Sequence, residues 1–224
     1  MQLNRPFASV TPTLDGDVLA VLAAVSGEAF TISQIRRIVA TASGEGIRKV
    51  LARLVAQGVV LQSQVGRTNT YLFNSEHLAA EPILALTRLA STLLERIAEH
   101  LGQWQEPPIY AAVFGSAATG RMSLDSDIDQ FLVRGRPAKS ARPQDDSDVW
   151  DQQVSDLTRA VSLWTGNDAR AVVYTEADLR TAIAAGEPLI RDVAGQGLTV
   201  RGERSWLTRQ LRPAQTSAKP KRSV

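Results

Sequence analysis

Phe114–Val133, FGSAATGRMSLDSDIDQFLV, is the stretch on which the reading of this chain turns. The apolar run Ile109–Phe114 reads as a buried strand that delivers the backbone into Gly115-Ser116. A glycine there lets the chain turn sharply and approach a ligand. Ser116 offers a hydroxyl and a backbone N–H to phosphate oxygens at a helix start, and Gly120 keeps the connection compact. Asp127 and Asp129 follow, one residue apart, in a second strand-like run, Leu124–Val133. Side chains alternate along a strand, so both carboxylates project from one face. Paired carboxylates repel unless a cation lies between them. Their hard oxygens suit Mg²⁺, which takes one or two carboxylates plus substrate phosphates. Asp127 and Asp129 are therefore the candidate catalytic and metal-binding residues, and Gly115 and Ser116 the candidate nucleotide-binding residues. Mg²⁺ is the implied cofactor and a nucleoside triphosphate (NTP) the implied ligand.

The 224-residue chain is long enough for two modest domains, with 44% hydrophobic and 21% charged residues. It has no cysteine, which excludes disulfides and thiolate metal sites and fits a reducing compartment. No apolar run approaches the length of a membrane span, and MQLNRPFASVTPTLDG lacks the order of a signal peptide. A cytoplasmic protein with no membrane partner is the expectation. The net charge is only +2, yet Arg36, Arg37, Arg48, Lys49, Arg53 and Arg67 crowd one early stretch. Such a local basic face can neutralise phosphates, or it can be a solvated helix face.

Around that stretch the pattern predicts a first helix from about Asp17 to Ser26, capped by Thr13 or Asp15 and ended by Gly27. Thr31 or Ser33 opens a second helix, and Ser43 a third, in which Ile47, Val50, Leu51, Leu54 and Val55 form one apolar stripe. Two β-rich runs, Val59–Val65 and Thr70–Phe73, flank the turn Gly66-Arg67-Thr68-Asn69. Three helices and a hairpin give the order of a winged helix. Residues 15–75, and above all IRKVLARLVAQGVV, resemble small bacterial regulators of the MarR and ArsR kind. The resemblance implies binding to duplex DNA through Arg48, Lys49 and Arg53 on the third helix and Arg67 on the wing. A long helix is expected from Ala79 to Gly102, as a connector or dimer helix, and Gln103–Pro108 as a boundary.

Beyond it, Gly135–Asp148 reads as a polar loop, Trp150–Gly166 as a helix and Ala169–Thr175 as a strand. Helices at Glu176–Ala185 and Glu187–Ala194, a strand at Leu198–Arg201 and a disordered basic tail from Pro213 complete the chain. The expected fold class is α+β: a winged helix over 13–76, a connector over 77–106, and a mixed sheet flanked by helices over 107–212. Gly115, Ser116, Gly120, Ser126, Asp127, Ile128 and Asp129 together resemble the signature of the nucleotidyltransferase superfamily, of the DNA polymerase β type and above all its minimal bacterial members. That resemblance implies Mg²⁺-dependent transfer of a nucleotidyl group from an NTP to a hydroxyl on protein, RNA or a small molecule.

The chain departs from the family pattern at three places. Thr119 stands where arginine is common, and Gln130 where an apolar residue is usual. The third carboxylate of active members falls on Val172 or Val173. Asp168 is the nearest acid, either a turn aspartate or a displaced third catalytic ligand. Two functions therefore stand side by side. One is an enzyme. The other is a DNA-binding regulator or antitoxin-like protein whose degenerate nucleotidyltransferase domain senses a ligand, with a homodimer compatible with either.

Overall fold

The computed structural model describes residues 1–135 and 143–212, the side chains of 143–146 excepted. Most of the expected polar loop before Pro143, and the whole basic tail 213–224, lie outside the described residues. The protein is α+β. It divides into two compact units: Met1–Glu95 with Gly120–Ser126 and Thr165–Asn167, and Arg96–Thr119 with the described residues of 127–164 and 168–212.

In the first unit α1 (Leu14–Ala24), β1 (Ala29–Phe30), α2 (Ile32–Ile38) and α3 (Gly44–Ala56) precede the hairpin β2 (Val60–Val65) and β3 (Thr68–Phe73), then α4 (Ala80–Thr87). The strands form an antiparallel sheet in the order β1-β3-β2. The helix starts are set by their caps. Thr31 Oγ1 accepts from Gln34 N at 3.3 Å while Gln34 Oε1 accepts from Thr31 N at 2.7 Å, so two donors that the first turn leaves orphaned are satisfied. Ser43 Oγ accepts from Gly46 N at 3.0 Å and opens α3. Of the expected stripe, Ile47, Val50 and Leu51 are buried with Val18, Leu22, Ile35, Tyr71 and Phe73, and Leu54 and Val55 pack against them partly buried.

Four local expectations differ from what this unit shows. The hairpin turn has two residues, not four, because Val65 pairs directly with Thr68. Gly66 has φ +61°, and a positive φ at the first central residue is the type II′ geometry that matches strand twist. β1 was not foreseen. Leu124–Asp127 is not strand, since the Ser123 N–H donates to Ser126 Oγ at 2.9 Å and Asn167 Nδ2 donates to the Ser126 carbonyl at 2.9 Å, closing a turn. The expected single helix 79–102 is α4 and α5 (Leu89–Gly102), broken at Arg88. Thr87 Oγ1 donates to the Leu84 carbonyl at 2.7 Å, and the Arg88 N–H turns to Ala85 instead, at 3.1 Å. A side chain inserted into the backbone ladder in this way interrupts a helix.

The second unit carries β4 (Tyr110–Phe114), α6 (Gly115–Thr119), β5 (Ile128–Arg134), α7 (Pro143–Thr165), β6 (Ala169–Thr175), α8 (Glu176–Ala184), α9 (Pro188–Gln196), β7 (Leu198–Arg201) and α10 (Arg204–Gln210). The sheet is mixed, in the order β6-β5-β4-β7. β5 and β6 run parallel and the other pairs antiparallel. A parallel pair needs a crossover, and α7 supplies it. That helix begins seven residues before the expected Trp150, on a proline, which the first turn of a helix tolerates because its missing N–H would be orphaned anyway. α10 was not foreseen. Phe131 and Val133 of β5 pack with Tyr110, Ala112, Leu179, Ile190, Val193 and Leu207 in one core. Tryptophans pack at two places: Trp104 meets Trp150 edge-on at 5.4 Å and Trp206 stacks on Tyr110 at 5.9 Å. Among the described residues no helix is long and apolar enough to cross a membrane.

The two threonine caps give a test. Thr31→Ala should cost about 1 kcal/mol, the worth of a working cap. Thr13→Ala should cost clearly less, because the Thr13 hydroxyl accepts no cap bond from the first turn of α1 and makes only exposed bonds, to the Thr11 and Asp15 side chains. Urea denaturation followed by circular dichroism compares the two; equal losses would contradict the assigned caps.

Candidate functional site

β5 lies between β4 and β6, and its N-terminal end sets the geometry of the site. Asp129 pairs with Phe114 across the antiparallel ladder, so Gly115, the next residue, turns off directly beside it. Gly115 has φ +71°, and a Cβ built on it would stand 2.7 Å from Asp129 Oδ2. Any side chain here would meet both a left-handed backbone and the carboxylate itself. The glycine-serine turn and the second aspartate are thus one structure. Ser116 follows, half-buried, as the second residue of α6.

Asp127 precedes β5 by one residue, and Ile128 N–H, donating to the Asp168 carbonyl at 2.8 Å, ties the chain between the two aspartates into the ladder. Asp127 itself lies just outside the strand, two residues before Asp129. Their proximity appears in Asp129, whose carboxyl is held above the usual range. Burial is the largest cause and the neighbouring Asp127 charge the next, while Arg170 opposes both. Partly desolvated carboxylates that repel one another suit a hard divalent cation. Asp127 and Asp129 are thus the residues of this corner that could hold a divalent cation, with the Gly115 turn directly beside them.

Arg170 is a residue that sequence reasoning missed. On β6 it stands opposite Asp129 in register, and its Nη1 lies 3.0 Å from Asp127 Oδ2. The sequence expectation put the absent third acid at Val172 or Val173, yet these pair with Phe131 and Leu132, further along the strands. The position beside Asp129 belongs to an arginine. Asp168 lends its carbonyl to β5 while its residue is exposed. Among the described residues no three or more His, Cys, Asp or Glu gather as a metal cluster. Register could have revealed Arg170, but no local pattern in ARAVVYT announces register.

In the first unit Arg48, Lys49 and Arg53 lie on the exposed face of α3 and Arg67 is exposed at the hairpin turn. Arg48 pairs with Glu45, and Arg53 forks onto Asp15, Nη2 lying 2.7 and 2.8 Å from its two oxygens. Exposed pairs of this kind contribute little, about 0–1 kcal/mol, so a phosphate can replace them.

No protein-family model matches the chain, and no curated protein does. Among solved structures, one described as "Crystal structure of the toxin-antitoxin with AMP-PNP" is similar at 18% identity over 53% of this chain and 80% of that chain, with a TM-score of 0.36. A likeness that loose carries no conclusion about this protein.

The carboxylate pair makes a prediction of its own. In an NMR titration Asp129 should titrate above an ordinary aspartate. Its neutral form is favoured, so ionised Asp129, and any cation it holds, should be lost at a higher pH than an ordinary aspartate would lose it. Asp127→Asn should lower that midpoint, because a repelling charge is gone. An unchanged midpoint in Asp127→Asn would show that the two carboxylates do not share a site.

Proposed function

We propose that the second unit is a nucleotidyltransferase-type module. It holds a Mg²⁺–NTP complex at the corner of Gly115, Ser116, Asp127 and Asp129, and it passes a nucleotidyl group to a hydroxyl acceptor on protein, RNA or a small molecule. The observation that supports this best is the 2.7 Å approach of the missing Gly115 Cβ to Asp129 Oδ2. It sets a turn of bare backbone directly against the carboxylate of Asp129. Mg²⁺ supplies charge neutralisation, alignment of the triphosphate and stabilisation of the leaving pyrophosphate. Asp127 and Asp129 hold it, Gly115 admits the phosphates, and the Ser116 hydroxyl donates to one of their oxygens. Triphosphate binding should depend on the cation. Asp129→Asn should weaken ATP binding in Mg²⁺ about tenfold or more, the cost of a lost charge-assisted contact, and leave any binding in EDTA unchanged. Calorimetry with each of the four NTPs measures this; binding indifferent to both EDTA and Asp129→Asn would overturn the assignment.

The first unit is proposed as a winged helix that binds duplex DNA. α3 would enter the major groove with Arg48, Lys49 and Arg53, and Arg67 would touch the backbone or minor groove. Its support is the exposure of all four cations on α3 and the hairpin turn. A second reading is favoured by the residue opposite Asp129 in register being Arg170, a cation and not a third acid. In it the corner binds nucleotide but turns it over poorly, and the protein is a ligand-sensing regulator or antitoxin-like protein. Incubation with labelled NTPs, Mg²⁺ and cell extract separates the two by the presence or absence of transfer. For DNA, gel shifts at low salt should show binding that falls steeply as salt rises and is lost in Arg48→Glu/Arg53→Glu. Binding unchanged by that double reversal would leave α3 outside the interface.

A further inference from the structure

Arg170 reaches across from β6 to the corner that Gly115 and Asp129 form. Its guanidinium sits on Asp127 at 3.0 Å, and its side chain is 68% exposed, held there by the ion pair and little packing. Asp127 and Asp129 together carry −2 when ionised and Arg170 returns +1, leaving the corner at −1. A divalent cation entering between the aspartates meets a positive group already seated on an oxygen it needs. One carboxylate oxygen cannot serve both fully, and the two cations repel, so the guanidinium must leave Asp127 as the metal arrives. A long exposed side chain can do this without disturbing the core. Once released, it is a planar fork of donors next to a metal that brings phosphates. That fork matches phosphate oxygens two at a time.

We propose that Arg170 is a latch that couples the two ligands of the corner, seated on Asp127 before the metal binds and on a phosphate oxygen of the nucleotide afterwards. The proposal rests on the metal–triphosphate assignment above. The latch opposes metal bound alone and rewards metal and nucleotide bound together. Nucleotide arriving first draws Arg170 away and uncovers Asp127 for the metal, since coupling between two ligands is reciprocal. The corner is thereby kept from filling with free divalent cation and made to take the metal–nucleotide complex as a unit.

The test uses the full-length protein and Mn²⁺, whose free ion is counted by EPR, with and without ATP. An exposed ion pair is weak, so Arg170→Gln should bind Mn²⁺ alone only about two- to fivefold more tightly than wild type. ATP should raise Mn²⁺ affinity about tenfold less in Arg170→Gln than in wild type, since the phosphate contact is gone. Arg170→Gln that binds Mn²⁺ no more tightly than wild type, or that keeps the full effect of ATP, overturns the latch. Asp129→Asn separates this failure from the larger one. If Mn²⁺ binding is lost in Asp129→Asn on both backgrounds, the metal lies in the corner and the latch is judged on its own. Mn²⁺ binding that survives Asp129→Asn, or is absent in wild type and Arg170→Gln alike, overturns the metal assignment and the latch with it.

Discussion

The approach of Gly115 to the Asp129 carboxylate is the constraint on which the candidate site depends. β4 ends opposite Asp129, and the chain must leave the sheet there without a side chain, at φ +71°. A Cβ would stand 2.7 Å from Oδ2. A non-glycine residue would bear a left-handed backbone, costing about 1–2 kcal/mol, before displacing the carboxylate. Glycine adopts this conformation without strain and keeps the backbone bare beside the carboxylate. From this contact follow the placing of Ser116 at the head of α6, the partial burial of Asp129 and the raised affinity of its carboxyl for a proton.

Electrostatics then divides the corner between a cation from outside and one from the chain. The Asp129 carboxylate, at the edge of a buried strand, is destabilised by desolvation and by the Asp127 charge beside it. Arg170 relieves part of this from the neighbouring strand. The same residue occupies the place beside Asp129 where an acid would add to the charge. On the proposed reading, the corner would carry one set of charges at rest and another when loaded, and would take a metal–nucleotide complex more readily than a bare metal.

What could be read from sequence was what is encoded locally. Gly115-Ser116 and Asp127-Ile128-Asp129 are recognisable because the turn and the alternation of a strand are properties of adjacent residues. β6 and β7 were placed at their observed bounds by their β-branched residues and flanking turns, and α3 by the Ser43 cap and its apolar stripe. The misreadings came from interactions between residues that pattern cannot weigh. Ser123, Ser126 and Asn167 take Leu124–Asp127 out of the strand. Thr87 breaks the apolar run at Arg88, and the acidic stretch ahead of Trp150 is part of α7 although it reads as loop. Arg170 was hidden for a deeper reason. The pairing of β6 with β5 is set by the α7 crossover and the packing of the sheet, and a shift of a single residue would have put a different side chain beside Asp129.

The most direct test of a metal site at this corner is the pattern of backbone amide signals that Mn²⁺ broadens in the ¹⁵N-labelled protein in the presence of ATP. Bound at the Asp127–Asp129 pair, the paramagnetic ion should broaden the amides of Gly115, Ser116, Ile128, Asp129 and Arg170 first, and Asp129→Asn should abolish the effect. Broadening centred elsewhere, or unchanged in Asp129→Asn, would contradict the metal–nucleotide site.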